Sequence, residues 1–396
     1  MSSPVAHEHS ASRIRYGAAA LLALVEAFGI NSMYGQIWRS GFAQTAWNWL
    51  NDPDARLPGS SRPAIRQYFG IPVIDDSLVL ANFCFINTID GSRPEMSLYG
   101  LQFGGQLVPV VAVLMIEGLR AGNRNRMLRW SLFWCHLMQV VGYAIVMPLY
   151  GCLHLLTSAT AAGSSDANRL RRRAPLALQV LIPSFAIGYV IPTILFVYPF
   201  SSNFLRQWFC TAWQLYPHIL YACQHVLASK SPQHEDQRPD QKHEDQDLKI
   251  LSKAYDVAFK FAATIQIFVY TILITVWLMP SLFPDHIAQA LTFEQVFKPG
   301  SFYSYGPPGS VPDEMHRWFH YDQYVGSAAI LVWALALYLS RPTCGKHTWK
   351  GYARLGGKIC TWAIIGGPAG AAAKILQLRD EQIHRMPKSQ KQKRSV

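Results

Sequence analysis

FHYDQYVGSAAILVWALALYL, running from Phe319 to Leu339, opens on His320-Tyr321-Asp322 and then runs almost uninterrupted in Ala, Val, Ile, Leu and Trp. A span in lipid needs roughly 20 apolar residues, because backbone groups must satisfy one another there. A carboxylate at bilayer depth costs about 2.5–3.5 kcal/mol even on the lenient insertion scale, so it is rarely there without a task. The stretch 16–34 repeats the pattern, with Glu26 at its middle. The chain therefore reads as an integral membrane protein with acids in or near its core.

Composition agrees. The 396 residues are 50% hydrophobic and 15% charged, against about 25% charged in soluble domains. The formal charge of +12 is gathered into clusters. Arg120, Arg124, Arg126 and Arg129 share one connection, and Arg169, Arg171, Arg172 and Arg173 the next. Lys388, Lys391, Lys393 and Arg394 close the chain. Basic clusters beside apolar spans are the positive-inside signal and favour anionic headgroups. No soluble basic domain exists to carry a nucleic-acid partner. The seven cysteines lie mostly in apolar runs and form no CxxC pair, so they read as packing residues. No N-x-S/T site occurs, and the stretch 16–34 reads as a retained first span, not a cleaved leader.

The pattern predicts an all-α polytopic helical bundle of about eight transmembrane helices, near 17–34, 100–119, 130–157, 177–198, 205–227, 254–279, 320–340 and 358–376. The short apolar segment 77–89 is read as interfacial or re-entrant. The whole chain, 1–396, is one membrane domain with a polar linker at 228–250 and a basic tail at 379–396. Two long connections, 35–76 and 280–318, are lids or disordered loops; the first, rich in Trp, is expected to lie ordered on the membrane surface. The doubled His-Glu-Asp-Gln at 234–237 and 243–246 reads as solvated linker in preference to a metal site. Orientation is open. If every span crosses once, the two arginine-rich connections face opposite sides, against the positive-inside rule. Either 130–157, with Gly142 and Pro148, is not a simple crossing, or one basic connection is lumenal.

Four acids are the candidate catalytic residues. Asp322 shares a helical face with Gly326, Ala329, Trp333 and Ala336, an acid above small residues that leave room for a cavity. Its alternative is an interfacial helix cap. Glu117 ends a span, with Gln106 about 16 Å earlier on nearly the same face; its alternative is a helix-end ion pair with Arg120. Asp90 lies in an Asp-Gly turn signal near a cavity mouth, or simply forms that turn. Glu26 sits in mid-span, or bonds Asn31 or another helix. Asp256 reads as a structural pair with Lys260. The sequence has no DDxxD, DxDD, HExxH, GxGxxG or Walker pattern. No paired-carboxylate site for Mg²⁺-diphosphate is offered, so no metal and no cofactor is expected. The 12 Trp, 18 Tyr and 20 Phe are mostly core and interface belt. Trp134, Trp213 and Trp333 could line a cavity where ring faces steady a cation.

The stretches 89–94 (IDGSRP), 110–123 (VVAVLMIEGLRAGN) and 319–337 resemble segments of fungal integral membrane terpene cyclases of the macrophorin and ascochlorin or ascofuranone type. The resemblance implies cyclisation of a farnesyl or epoxyfarnesyl chain on an aromatic or quinone-like head, a prenylated small-molecule partner within a lipid bilayer, and residence in the endoplasmic reticulum. It also implies a starting acid near Asp322, Glu117 or Asp90. The chemistry agrees: protonating an alkene needs a carboxylic acid kept neutral, and burial does that. The carbocation then needs a dry, aromatic pocket. The rival is a transporter of lipophilic metabolites whose buried acids relay protons. Internal repeats would favour it, and none is visible in the sequence.

Overall fold

In the computed structural model, residues 4–57, 60–162, 165–171, 174–230, 241–306, 309–341 and 348–384 are described. The helices that matter are α1 (Pro4–Ile30), α2 (Pro94–Gly118), α3 (Ser131–Val141), α4 (Tyr143–Thr157), α5 (Asn203–Gln214), α6 (Tyr216–Lys230), α7 (Gln241–Leu278), α8 (Val311–Leu339) and α9 (Trp349–His384). No strand occurs among the described residues; an isolated bridge joins Arg120 to Leu170.

Five described helical segments are long and apolar enough to cross a bilayer: Ala11–Arg39, Pro94–Gly118, Asp245–Leu278, Val311–Leu339 and Trp349–His384. Leu24 and Phe28 on α1, and Phe268 and Ile274 on α7, are exposed. A soluble protein would bury such a face; a lipid-facing one need not. The expected count of about eight is not reached by unbroken helices. The span expected at 205–227 divides at Leu215 into α5 and α6. The one at 177–198 divides into short pieces around a π-turn, Ala186–Val190, with Pro183 and Pro192 removing backbone donors. The expected re-entrant segment is a 14-residue helix, Pro72–Phe85.

The span expected at 130–157 is two helices joined at Gly142, whose φ of 96° is open to glycine and strained for other residues. Their contacts make them a hairpin. Ser131 at the start of α3 bonds the Leu114 carbonyl on α2, and His154 at the end of α4 meets Glu117 on the same helix. Helices of 11 and 15 residues reach about 16 and 22 Å, short of the roughly 30 Å hydrocarbon core. Both arginine-rich connections therefore meet at one end of the bundle. The Ala121 N–H donates to the Arg169 carbonyl and the Arg171 N–H to the Leu119 carbonyl. The orientation conflict disappears, because the two connections are separated by a hairpin and not by a crossing.

The long connections are folded over the opposite end. Arg66 donates to the carbonyls of Trp49, Leu50 and Asp52. Asp75 collects the backbone N–H groups of Tyr68, Phe69 and Gly70, chiefly that of Phe69, which holds its carboxyl below the usual range. That anchor is present at neutral pH and is lost as pH falls through the depressed value. Gln36 binds Ser304, and Arg93 bridges Glu95 and Asp313. In the core, the small-residue face of α8 packs on α4. A Cβ at Gly326 would lie 2.3 Å from Cδ1 of Tyr143. The room expected below Asp322 is filled by that ring. Gly326→Ala is expected to lower stability by about 1–3 kcal/mol through overpacking, read as the unfolding midpoint in detergent; an unchanged midpoint would contradict this packing.

Candidate functional site

Asp322 sits where the hairpin turns. Its Oδ1 accepts the Ala144 N–H at 2.8 Å, and the Tyr143 N–H adds to it. The same oxygen lies 2.7 Å from where a Cβ of Gly142 would be, so a side chain there would displace the carboxyl. Asp322 thus caps α4 from another helix; it does not cap its own, as the sequence alternative had it, because Ser310 holds that position. No arginine, lysine or histidine pairs with it among the described residues, and 8% of its surface stays open. Tyr34, Tyr99 and Tyr143 lie within electrostatic range. The Tyr34 hydroxyl donates to the Val141 carbonyl at 2.9 Å, and its ring meets Trp318 edge-on at 4.8 Å. The segment 296–300 braces this level of α8 from the other side. His320 Nε2 lies 2.8 Å from the Val296 carbonyl, and the hydroxyls of Tyr324 and Tyr321 donate to the Phe297 and Gly300 carbonyls at 2.6 and 2.7 Å. An apolar cavity of about 330 Å³ opens between Leu24, Val25 and Phe28 of α1 and Tyr321, Tyr324, Val325 and Ala328 of α8, residues that flank Asp322 in sequence.

Glu117 lies elsewhere. Ala144 and His154 are ten residues apart on α4, about 15 Å, and they mark the two acids' levels. Glu117 is fully buried. Its Oε1 accepts from Arg120 Nε at 2.7 Å and from Arg379 Nη1 at 3.2 Å; its Oε2 is 3.1 Å from His154 Nε2. Arg120 also reaches Asp380 Oδ2 at 2.6 Å, which takes the Tyr255 hydroxyl at 3.0 Å. Two arginines face two carboxylates. Burial opposes the Arg120 charge, but Asp380 and Glu117 outweigh it and raise its pKa well above the ordinary value. The cluster knots the ends of α2, α4 and α9 to Tyr255 in the first half of α7.

The remaining acids are scattered. Asp90 takes the Asn87 amide at 3.0 Å and the Ser92 N–H at 2.9 Å, which closes its own turn. Glu26, half-buried on α1, has no hydrogen bond among the described residues; Asn31 is taken by Arg39. Asp256 pairs with Lys374 at 2.7 Å, not with Lys260. Trp333 and Trp134 are buried against Tyr150 at 5.7 and 5.3 Å, and Trp213 stacks on Phe196 at 5.1 Å. Among the described residues no three His, Cys, Asp or Glu side chains converge as a metal would require. Sequence reasoning missed His154, Tyr255, Arg379 and Asp380. The last two stood at the head of a basic tail, yet both are buried inside α9. The available signal was the apolar spacing of Leu376 and Ile383 on either side of them. Residues 385–396, with the rest of that tail, and 231–240, with the first His-Glu-Asp-Gln, lie outside the described residues; the second falls at the start of α7.

The CtvD domain model matches residues 18–384, nearly the whole helical body. The chain belongs to the CtvD family. Terpene cyclase ctvD of Aspergillus terreus is 28% identical over 209 residues, covering 50% of this chain and 57% of the relative. Terpene cyclase ascI of Acremonium egyptiacum is 36% identical over 136 residues, covering 34% and 35%. The chain thus spans about half and about a third of the length of these two. Terpene cyclase sdgD of Emericella nidulans is 23% identical over 333 residues, covering 84% and 85%. No solved structure matches. The likeness to fungal terpene cyclases read from three short stretches therefore holds, and the CtvD match takes in all four candidate acids, Asp322, Glu117, Asp90 and Glu26.

Proposed function

We propose that this CtvD-family chain is a membrane terpene cyclase that closes a farnesyl chain carried on an aromatic or quinone-like head, as part of meroterpenoid assembly in the endoplasmic reticulum. Asp322 is the starting acid. The observation that carries this is a buried carboxyl with no cation beside it among the described residues, its partners being backbone N–H groups. Nothing there fixes it as an ion pair, so it can hold a proton and pass it on. Glu117, held between two arginines, is fixed as a carboxylate and suits architecture better than acid catalysis. Asp90 is committed to its turn, and Glu26, on α1, has no hydrogen-bond partner among the described residues to position it.

In this mechanism the carboxyl proton moves to the terminal alkene carbon or to the epoxide oxygen. A tertiary cation forms, the chain's inner double bonds close on it, and a final proton leaves. The net change is an isomerisation, with no electrons gained or lost. Tyr34, Tyr99, Tyr143 and Trp318 offer ring faces near the charge, and the reaction needs water kept away from the cation it would quench. The apolar cavity of about 330 Å³ suits part of a prenyl chain arriving from the bilayer. Ala328→Trp, which fills that cavity from an exposed position, is expected to lower kcat/KM by on the order of tenfold without changing the unfolding midpoint. Normal kcat/KM would place the prenyl chain elsewhere.

The assay is microsomes expressing the chain, supplied with the linear prenylated or epoxidised precursor, with products read by mass spectrometry and NMR. Because the sequence holds no diphosphate-Mg²⁺ pattern, chelator is expected to leave turnover unchanged. A strict Mg²⁺ requirement would move the reading toward ionisation of a diphosphate. Binding or export of the precursor without a new ring would favour the transporter reading.

A further inference from the structure

We propose that the cleft between α3 and α6, at the arginine-rich end, is a binding site for the phosphate headgroup of an anionic membrane lipid. The cleft has a volume of about 550 Å³. Its polar wall is Arg129, Arg171, His136 and His218, and the two imidazole rings are 4.7 Å apart. Among the described residues no Asp or Glu lines it. Neither arginine has a carboxylate partner among the described residues; both rest on backbone carbonyls. Arg129 Nη1 donates to Arg124 O at 2.9 Å, and Arg171 donates to Gly118 O at 2.7 Å and Leu119 O at 3.2 Å. These bonds orient the guanidinium groups without neutralising them. Burial and then the neighbouring Arg129 push the Arg171 pKa down, the mark of crowded positive charge. A phosphate would relieve that crowding, and arginine's planar fork suits it.

The other wall selects the kind of phosphate. Trp130, Phe133 and Tyr221 line the cleft and are 50%, 42% and 45% exposed. Large exposed rings beside arginines belong at the boundary between hydrocarbon and headgroups. A free phosphate would gain nothing from them, whereas a lipid would lay its glycerol and first acyl carbons there. The hairpin also matters. By returning α4 to the end where α3 began, it sets both arginine-rich connections on one face, the face that the positive-inside rule turns toward anionic lipids. This site is independent of the chemistry at Asp322.

The test uses the full chain in detergent, titrated separately with dihexanoyl phosphatidic acid, dihexanoyl phosphatidylcholine and inorganic phosphate, with the unfolding midpoint as readout. Phosphatidic acid is expected to raise the midpoint saturably, and the other two to need at least about tenfold more for the same shift. The double variant R129Q/H218Q is expected to raise the half-saturating concentration of phosphatidic acid about tenfold with its unliganded midpoint unchanged. Should the double variant be unstable, R129Q alone is expected to give the same direction of change. Arg171 is spared because it also caps α2. Equal potency of inorganic phosphate, equal potency of phosphatidylcholine, or unaltered phosphatidic acid binding in the variants would each overturn the assignment.

Discussion

Asp322→Asn is expected to abolish cyclisation while leaving the protein folded in the membrane. The amide oxygen can still accept the Ala144 N–H that Oδ1 takes now, and Asn caps helices about as well as Asp. The hairpin turn should therefore survive. What is lost is the acidic proton. General acid catalysis alone contributes roughly 10²–10⁴-fold, and here the proton also starts the reaction, so the loss should be at the top of that range or beyond. Turnover per folded molecule is the quantity to measure, with the unfolding midpoint as the control. Asp322→Ala is a poorer probe, since it removes the cap together with the acid.

Glu117→Gln is expected to do the opposite. Removing one partner of a buried ion pair costs about 3–5 kcal/mol, because an uncompensated charge is left behind. The Gln would leave Arg379 with carbonyl and amide acceptors on Thr160 and Asn168, and no carboxylate. Arg120 would keep Asp380 as its carboxylate, with the Asn168 carbonyl and the Tyr255 hydroxyl beside it. The knot joining α2, α4, α7 and α9 should loosen, and the yield of folded protein should fall steeply. Arg379→Gln is expected to show a similar loss. A Glu117→Gln protein that folds normally would contradict the architectural role.

The helical class and the apolar spans were legible in the sequence because hydropathy is a local property. Asp322 stood out for the same reason: a charge inside an apolar run is visible without knowing its neighbours. The hairpin was half legible. Gly142 and Pro148 raised the possibility of a broken span, and the clash of basic connections demanded one. That the chain doubles back at Gly142 depends on contacts with Leu114 and Glu117, which sequence does not display. The cavity expected under Asp322 failed on packing. Gly326 signals close approach, but not whether a ligand or Tyr143 is what approaches. Glu117 carried both readings at once, since Arg120 at i+3 was evident whereas Arg379, 262 residues away, was not. Arg379 and Asp380 looked like the start of a basic tail because local charge hides long-range pairing.

We propose separate tasks for Asp322 and Glu117, chemistry at the first and architecture at the second. The most direct measurement is turnover of the linear prenylated precursor per folded molecule, made side by side on wild type, Asp322→Asn and Glu117→Gln. Asp322→Asn is expected to be folded and inactive, and the small folded fraction of Glu117→Gln to cyclise at near the wild-type rate. A folded Asp322→Asn that still cyclises, or a well-folded Glu117→Gln that does not, would contradict that division of tasks.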